Sequence, residues 1–214
     1  MKKTKQQEKE IVAAFDFDGT LTTTDTLLAF IRFTHGRRRL LWGLLRHAHW
    51  LLMMMLGVYP NWKVKEKVFS HFYKETKYET FAQWGNDFAE LAETMLNSQM
   101  VETLQQHLAE GHMVCVVTAS IEEWVRPICE RLGVRTLLAT RIEVSSEGLL
   151  TGRFLSSNCH GAMKVTRLLE VFPCRQSYIL YAYGDSCGDK ELLAFADEAY
   201  RMKHRNFSKM RRFR

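Results

Sequence analysis

The stretch AFDFDGTLTTTDT, residues 14–26, places Asp16 and Asp18 two positions apart at the end of an apolar run. That run, residues 11–15, is too short for a helix and ends at aspartate and glycine, so we interpret it as a fully buried β-strand. Close carboxylates repel and raise each other's pKa unless a cation lies between them. The stretch therefore predicts a strand that ends in a chemical site.

The chain beyond this stretch falls into two parts. From Leu27 to about Leu108 the signals are almost all helical, with apolar residues recurring at three- and four-residue steps. From His112 onward, short apolar runs alternate with helical segments. The strands predicted there are 113–117, 136–140, 141–144, 149–154, 178–183 and 198–202, and the predicted helices are 120–133, 164–171 and 190–195.

This order of elements predicts the fold class. Alternating strands and helices, with one strand far upstream, are typical of an α/β fold: a Rossmann-like parallel sheet core with an inserted helical cap domain after the first strand. We expect a core domain formed by residues 1–24 and 111–214 and a cap domain at 25–110. The residues SIEE, 120–123, match a capping box and predict that a helix begins directly after the second strand.

Composition and charge suit one globular unit with an insertion: 214 residues, 46% apolar, with a net charge of +6. Basic residues concentrate at Arg37–Arg39, at Arg46 and in the last fourteen residues, which hold seven Lys or Arg and no acid. Such clusters attract anionic partners, although the tail alone also fits a solvated, frayed end. No basic strand is interleaved with aromatic residues, so we expect no nucleic-acid partner.

The sequence also carries expectations about location. Five cysteines without CxxC spacing argue against a disulfide framework or zinc site and fit a reducing cytoplasm. The N-terminal apolar run is too short for a signal peptide. Residues 40–58, LLWGLLRHAHWLLMMMLGV, are interrupted by Arg46 and two histidines, and a membrane span needs roughly 20 mostly apolar residues. We expect a buried or interfacial helix, and a cytoplasmic protein with peripheral contact to the inner face of an anionic membrane.

Polar residues gather at one edge of the predicted sheet. In an open parallel sheet, ligands bind beyond the carboxyl ends of the strands. Carboxylates, hydroxyls and one ammonium are predicted to converge there: Asp16, Asp18, Thr118, Ser120, Lys164, Asp185 and Asp189. Hard oxygen ligands favour Mg²⁺, so the sequence predicts a magnesium site.

The same residues suit phosphate chemistry. One carboxylate of the Asp16–Asp18 pair can attack an electrophile covalently, and the other can protonate a leaving group and then activate water. A metal ion screens the repulsion between the nucleophile and an anionic phosphate. Lys164, Thr118 and the free N–H groups of the turn at Gly19 can hold the remaining phosphoryl oxygens.

These motifs resemble the haloacid dehalogenase superfamily across the whole chain and in order. DFDGTLT at 16–22, VVTAS at 116–120, Lys164 and GDSCGD at 184–189 are similar to its four motifs. The resemblance implies that Asp16 is the nucleophile, Asp18 the general acid/base and Lys164 a third catalytic group. It implies Mg²⁺ held by Asp16, Asp185, Asp189 and the backbone carbonyl of Asp18. The substrate-binding residues it implies are Gly19, Thr118, Ala119, Ser120, Asp25 and Lys164.

The insertion and the segment NCHGAMK, 158–164, resemble the phosphoserine-phosphatase-like subfamily IB. Asp25 stands where phosphoserine phosphatases have a glutamate that holds the substrate ammonium. The apolar and basic cap is loosely similar to phosphatidylglycerophosphatase members, which implies a phosphomonoester on a lipid head. A phosphatase of a small soluble metabolite such as phosphoserine is the alternative. A phosphotransferase and a non-catalytic phosphate-binding protein also remain open.

Overall fold

The computed structural model describes residues 9–155, 159–203 and 206–209. Its main sheet has the strand order β3-β2-β1-β6-β7-β8, with the first five strands parallel and β8 antiparallel at the edge. The strands are β1 Glu10–Phe15, β2 Met113–Ile121, β3 Thr136–Thr140, β6 Tyr178–Gly184, β7 Glu198–Lys203 and β8 Asn206–Lys209. The predicted α/β class with a parallel sheet is confirmed.

The central strand β1 is apolar on both faces because helices cover the sheet from both sides. Ala13 and Phe15 pack into one core cluster with residues of α5 (Ser98–Ala109) and α6 (Glu122–Arg131). Val12 and Ala14 alternate to the other face. That face is covered by α7 (Ala162–Val171) and α8 (Lys190–Phe195). Because both faces of β1 are covered, a ligand can reach this strand only at its end, where the polar residues lie.

Between β1 and β2 the chain is helical, as predicted. The helices are α1 Thr26–Arg46, α2 Ala48–Met55, α3 Asn61–Tyr73, α4 Tyr78–Glu93 and α5. Helix α1 is broken at Gly36, whose φ of 80° leaves the helical region. The aromatic core of this part continues into the sheet layer, since Phe30 of α1 stacks on Trp124 of α6 with ring centroids 4.6 Å apart.

A small hairpin buttresses the inserted helices. Strands β4 (Ile142–Val144) and β5 (Leu150–Phe154) pair antiparallel outside the main sheet, at the turn that the sequence predicts. The backbone N–H of Phe154 donates to Glu66 of α3 at 2.9 Å, and its ring lies 5.4 Å from that of Phe69. The hairpin thus fixes the position of α3, which forms part of the cavity described below.

Two predictions about local structure are corrected. The capping box at 120–123 is wrong: β2 runs on to Ile121, Ile121 is the N-cap of α6, and the Ser120 hydroxyl bonds elsewhere. The basic tail is not simply frayed, because residues 206–209 form β8; residues 204–205 and 210–214 of that tail lie outside the described part of the chain. Among the described residues, no helix combines the length and apolarity needed to cross a membrane.

Candidate active site

Two carboxylates and one ammonium form the buried centre of the site. Asp16 follows β1 directly, and its backbone N–H donates to Tyr183 of β6 at 2.9 Å, which fixes it at the sheet edge. Lys164, in the first turn of α7 and only 2% exposed, places its Nζ 2.5 Å from Asp16 Oδ1 and 2.5 Å from Asp189 Oδ1. A buried ion pair is tolerated when both partners are present and hydrogen-bonded, as here.

Asp189 is held by the loop that follows β6. Its Oδ2 accepts hydrogen bonds from the Asp185 and Ser186 backbone N–H groups at 3.2 and 3.0 Å and from the Ser186 hydroxyl at 2.9 Å. Ser186 in turn accepts from the N–H of Gly188 at 3.2 Å. Lys164 donates to the other oxygen of Asp189, so both oxygens of this carboxylate accept hydrogen bonds from the protein.

Asp185 completes a group of three carboxylates. Oxygen atoms of Asp16, Asp185 and Asp189 all lie within 4.8 Å of one another and could hold a metal ion. Gly19 makes this approach possible, because a Cβ there would collide with the Asp185 carboxylate and the residue's φ is 75°. The geometry of the DFDGT turn therefore requires glycine at position 19.

Asp18 points away from this group, towards the start of α1. Its Oδ1 accepts from the backbone N–H and the hydroxyl of Thr26 at 2.8 and 2.7 Å. Its Oδ2 accepts a short hydrogen bond from the Ser120 hydroxyl. Trp124 Nε1 donates to the Thr26 hydroxyl at 3.2 Å, so a buried indole supports the network. Hence Ser120 lies beside Asp18, and its predicted substrate contact stays a prediction.

Burial and neighbouring charges set different proton affinities within the site. Burial raises the pKa of Asp16 to about 7, an effect that Lys164 partly offsets. Burial and then the charge of Asp25 raise the pKa of Asp18. For Asp189, burial is outweighed by Lys164, which lowers the pKa of that carboxyl. Asp189 is thus held ionised, whereas burial raises the pKa values of both Asp16 and Asp18.

A cavity of about 490 Å³ opens above the carboxylates. Its polar end includes the predicted residues Gly19, Asp25, Thr118, Ala119 and Lys164. Thr118 is buried within the C-terminal half of β2, and its hydroxyl accepts from the Ser120 backbone N–H at 3.0 Å. Asp25 also caps α1, since its Oδ1 accepts from the Leu28 N–H at 3.2 Å. The cavity thus unites every predicted substrate residue except Ser120.

The opposite wall of the cavity was not predicted as part of the site. It is apolar and comes from three inserted helices: Leu28, Leu44, Leu51, Met54, Val64 and Val68. Lys65 of α3 and His160 also line the cavity, and the charge of Lys65 lowers the pKa of Asp18. The signal for these residues was the apolar and basic character of the insertion, which does not say which side chains face the carboxylates. Asn158 of the NCHGAMK segment lies outside the described residues.

Comparisons with known proteins agree with this geometry. The protein CicA of Caulobacter vibrioides (strain NA1000 / CB15N) is 37% identical over 194 residues, which cover 88% of this chain and 84% of that protein. A histidinol-phosphatase of Neisseria meningitidis serogroup C is 30% identical over 100 residues, which cover 44% of this chain and 45% of that one.

Solved structures share the fold. A protein with unknown function from Bordetella pertussis Tohama I superposes with a TM-score of 0.78 at 24% identity, covering 89% of both chains. A substrate-bound phosphoserine phosphatase superposes with a TM-score of 0.60 at 21% identity, covering 89% of this chain and 84% of that one. The family model of the haloacid dehalogenase-like hydrolases matches residues 13–194. Because that match covers most of the chain, including the inserted helices and all the carboxylates of the site, the chain belongs to the haloacid dehalogenase-like hydrolase family.

Proposed function

We propose that this phosphatase hydrolyses a phosphomonoester on the head of an amphiphilic lipid, through a covalent aspartyl-phosphate on Asp16 and with Mg²⁺ as cofactor. The observation that carries the proposal is the composition of the cavity. The cavity is lined both by the charged side chains of Asp16, Asp18, Asp185 and Lys164 and by apolar side chains from α1, α2 and α3.

The chemistry divides between the two aspartates of the first motif. An oxygen of Asp16 forms a bond to phosphorus, and the bond from phosphorus to the leaving alcohol oxygen breaks. Asp18 gives that oxygen a proton. Water then attacks the phosphorus and gives a proton back to Asp18, while the bond from phosphorus to Asp16 breaks and phosphate leaves. The hydrogen bonds from Thr26 and Ser120 keep Asp18 apart from Asp16, so that the two carboxyls play separate parts.

The donor set fits Mg²⁺. Three carboxylates lie within 4.8 Å of one another, and the single positive charge of Lys164 compensates part of their charge, which leaves negative charge for a hard cation. Asp16 and Asp185 would hold the ion together with the backbone carbonyl of Asp18. Asp189, whose oxygens are bonded to Lys164 and Ser186, would orient the site from behind. Bound there, Mg²⁺ would reduce the repulsion between the nucleophile and an anionic phosphate.

The apolar wall supports an amphiphilic substrate such as a phosphatidylglycerophosphate-like lipid. A small polar amino acid leaves this wall without a partner, whereas an acyl or glycerol-acyl group gains contact with it. Such a substrate resides in a membrane, so the proposal includes a cytoplasmic protein that meets the inner membrane surface peripherally. The division into a core at 1–24 and 111–214 and a cap at 25–110 belongs to the same proposal, with the cap carrying substrate selectivity.

A small soluble metabolite such as phosphoserine is the second candidate. Asp25 lines the cavity, where its carboxylate would meet a substrate ammonium, and the fold superposes on phosphoserine phosphatase. These observations leave the apolar wall without a role. Transfer of the phosphoryl group to an acceptor other than water would share the same covalent step, and product analysis distinguishes it from hydrolysis.

The test compares substrates that differ in the apolar part alone. We expect phosphate release from a lipid phosphomonoester in mixed micelles to exceed release from phosphoserine in kcat/KM, and EDTA to abolish both. Leu51→Gln should lower kcat/KM by about 10-fold for the lipid, the usual cost of a lost apolar contact. The same variant should leave a short, soluble aryl phosphate unaffected. A higher kcat/KM for phosphoserine than for the lipid would overturn the lipid proposal. So would a Leu51→Gln variant that loses equal kcat/KM on the lipid and on the aryl phosphate.

A further inference from the structure

The helical pair formed by α1 and α2 has two apolar faces. The inner face contributes Leu44, Leu51 and Met54 to the cavity wall. The outer face exposes a second set of apolar side chains: Leu41, Trp42, Leu45, Leu52, Met55 and Leu56. Trp42 is 73% exposed and Met55 is 80% exposed. Since soluble surfaces rarely expose contiguous apolar patches of this kind, the outer face is a candidate contact surface.

Helical spacing places the outer residues on one side of each helix. In α1, Arg38, Leu41, Trp42 and Leu45 follow the i, i+3, i+4, i+7 pattern of a single face. In α2, Leu52, Met55 and Leu56 share a face in the same way. The inner residues of each helix fall on the opposite side. The two helices therefore lie between the cavity and the outer face.

The positive charge of the segment that contains α1 and α2 indicates an anionic partner. The 40 residues from Thr26 to Lys65 contain seven Lys or Arg and no Asp or Glu. Arg37, Arg38, Arg39 and Arg46 are all exposed beside the apolar side chains. An apolar face bordered by arginines complements an anionic bilayer, where apolar groups enter the headgroup boundary and cations meet lipid phosphates.

We propose that the outer face of α1 and α2, defined by Trp42, Leu45, Leu52, Met55, Leu56 and Arg37–Arg39, docks on an anionic bilayer. The inference rests on the proposed lipid substrate, because docking by this pair of helices brings the apolar wall of the cavity to the membrane surface. It does not assign the whole of the predicted buried or interfacial helix, residues 40–58, to the membrane. Trp50, Leu51 and Met54 pack against the protein core instead, and only their outward neighbours are free to enter lipid.

The experiment is co-sedimentation of the whole protein with phosphatidylglycerol-containing and pure phosphatidylcholine vesicles at low and high salt. Wild type should bind the anionic vesicles more strongly, and high salt should weaken that binding. Arg37→Gln/Arg38→Gln/Arg39→Gln should lower the partition coefficient roughly 100-fold at low salt. Trp42→Gln/Leu45→Gln should lower it roughly 10-fold or more at either salt. All of these side chains are exposed in the free protein, so folding is expected to persist.

Matched controls change equal numbers of exposed residues outside Thr26–Lys65. Lys77→Gln/Arg131→Gln/Arg135→Gln and Leu155→Gln/Val171→Gln should bind vesicles as wild type does. Equal losses in the control and test variants, or binding to both vesicle types that ignores the substitutions, would overturn the docking face. So would a wild-type dimer in solution that Trp42→Gln/Leu45→Gln dissociates, because the patch would then bind a second copy.

Activity on a soluble, monomeric aryl phosphate separates this inference from the proposed function. The docking variants should hydrolyse it at the wild-type rate while losing turnover of vesicle-borne lipid phosphate. Vesicle binding without any phosphate release would leave the docking face standing and overturn the lipid phosphatase. If turnover of lipid phosphate on vesicles were unchanged in every docking variant, the lipid phosphatase would stand and the docking face would be overturned.

Discussion

At the scale of single residues, Lys164 explains how two aspartates tolerate burial at one point. It lies 2.5 Å from an oxygen of Asp16 and of Asp189, so removal of either carboxylate still leaves the ammonium one partner. Removal of the lysine would leave two buried carboxylates without a counter-ion, and an unpaired buried charge strongly destabilises the folded state. The site is thus more tolerant of change at the nucleophile than at its counter-ion.

Asp16→Asn should abolish turnover while the protein remains folded. An amide cannot form the acyl-phosphate bond, so we expect kcat to fall by roughly 10³-fold or more. Trapping with acid should recover no phosphorylated protein. Lys164 keeps its ion pair with Asp189, so the circular dichroism spectrum and Tm should stay close to those of wild type. A variant with a tenth of wild-type kcat would contradict covalent catalysis by Asp16.

Asp18→Asn should separate the two chemical steps. Asp16 remains able to attack, so an aryl phosphate with a good leaving group should still phosphorylate the protein rapidly. Dephosphorylation should slow by about 10²–10⁴-fold, the usual contribution of a general acid/base. Rapid-mixing kinetics would show a burst followed by a slow steady state. Steady-state turnover as fast as in wild type would show that Asp18 does not activate water.

The network around Asp18 offers a graded control. Ser120→Ala removes one hydrogen bond to the carboxylate but keeps both bonds from Thr26. We expect a smaller loss, on the order of 10-fold, in the same dephosphorylation step, since the acid/base group is still present but less well oriented. A loss as large as that of Asp18→Asn would mean that Ser120 contacts the substrate, as the sequence had suggested.

At the scale of elements, contact between α4 and α6 depends on the absence of a side chain at Gly85. A Cβ at this position would overlap the carbonyl oxygen of Glu123. The same interface carries Trp124, whose indole supports the Asp18 network through Thr26. Close backbone approach of the two helices therefore contributes to placing the Asp18 carboxylate.

Gly85→Ala should destabilise the fold although alanine is the better helix former. Propensity alone would add about 1 kcal/mol of stability, whereas overpacking against a backbone carbonyl costs about 1–3 kcal/mol. Denaturant unfolding should show a net loss in the free energy of unfolding. Asn86→Ala, at an exposed neighbouring position of the same helix, should be neutral or slightly stabilising. If Gly85→Ala were more stable than wild type, α4 and α6 would have moved apart to accept the Cβ without a net cost.

The sequence predicts elements well where one local pattern dominates. The apolar runs of β1, β2 and β6 are buried on both faces, so composition alone identifies them, and polar residues at their ends mark the site. Ser120 shows where local patterns fail. SIEE matches a capping box, but a hydrogen bond to Asp18, 102 positions away, competes for the same hydroxyl. The edge strand β8 was missed because its pairing with β7 is not visible in a short, basic segment.

At the scale of the whole molecule, the carboxylates of the site follow strands of the sheet, while the apolar lining of the cavity comes from the insertion. The first group was predictable because parallel strands bring their ends together in any such fold. The wall was not, because the positions of Leu51 and Lys65 depend on how α2 and α3 pack over the sheet edge and against the β4–β5 hairpin. The carboxylates could therefore be located from local sequence patterns, whereas the apolar lining of the cavity depends on tertiary packing.

Metal binding should stabilise the whole molecule through the carboxylate group at the sheet edge. Mg²⁺ at 100 times its Kd would add about 2.7 kcal/mol to the free energy of unfolding if it binds only the folded chain. For a protein of this size that corresponds to an increase in Tm of roughly 5–10 °C.

Asp185→Asn should abolish the increase in Tm that Mg²⁺ produces. In EDTA it should not lower Tm, because the charge it removes is repelled by Asp189. Asp87→Asn, at an exposed position of α4, should keep the full response. Differential scanning calorimetry with and without EDTA measures all three proteins, and an equal Mg²⁺ response in Asp185→Asn would place the ion elsewhere.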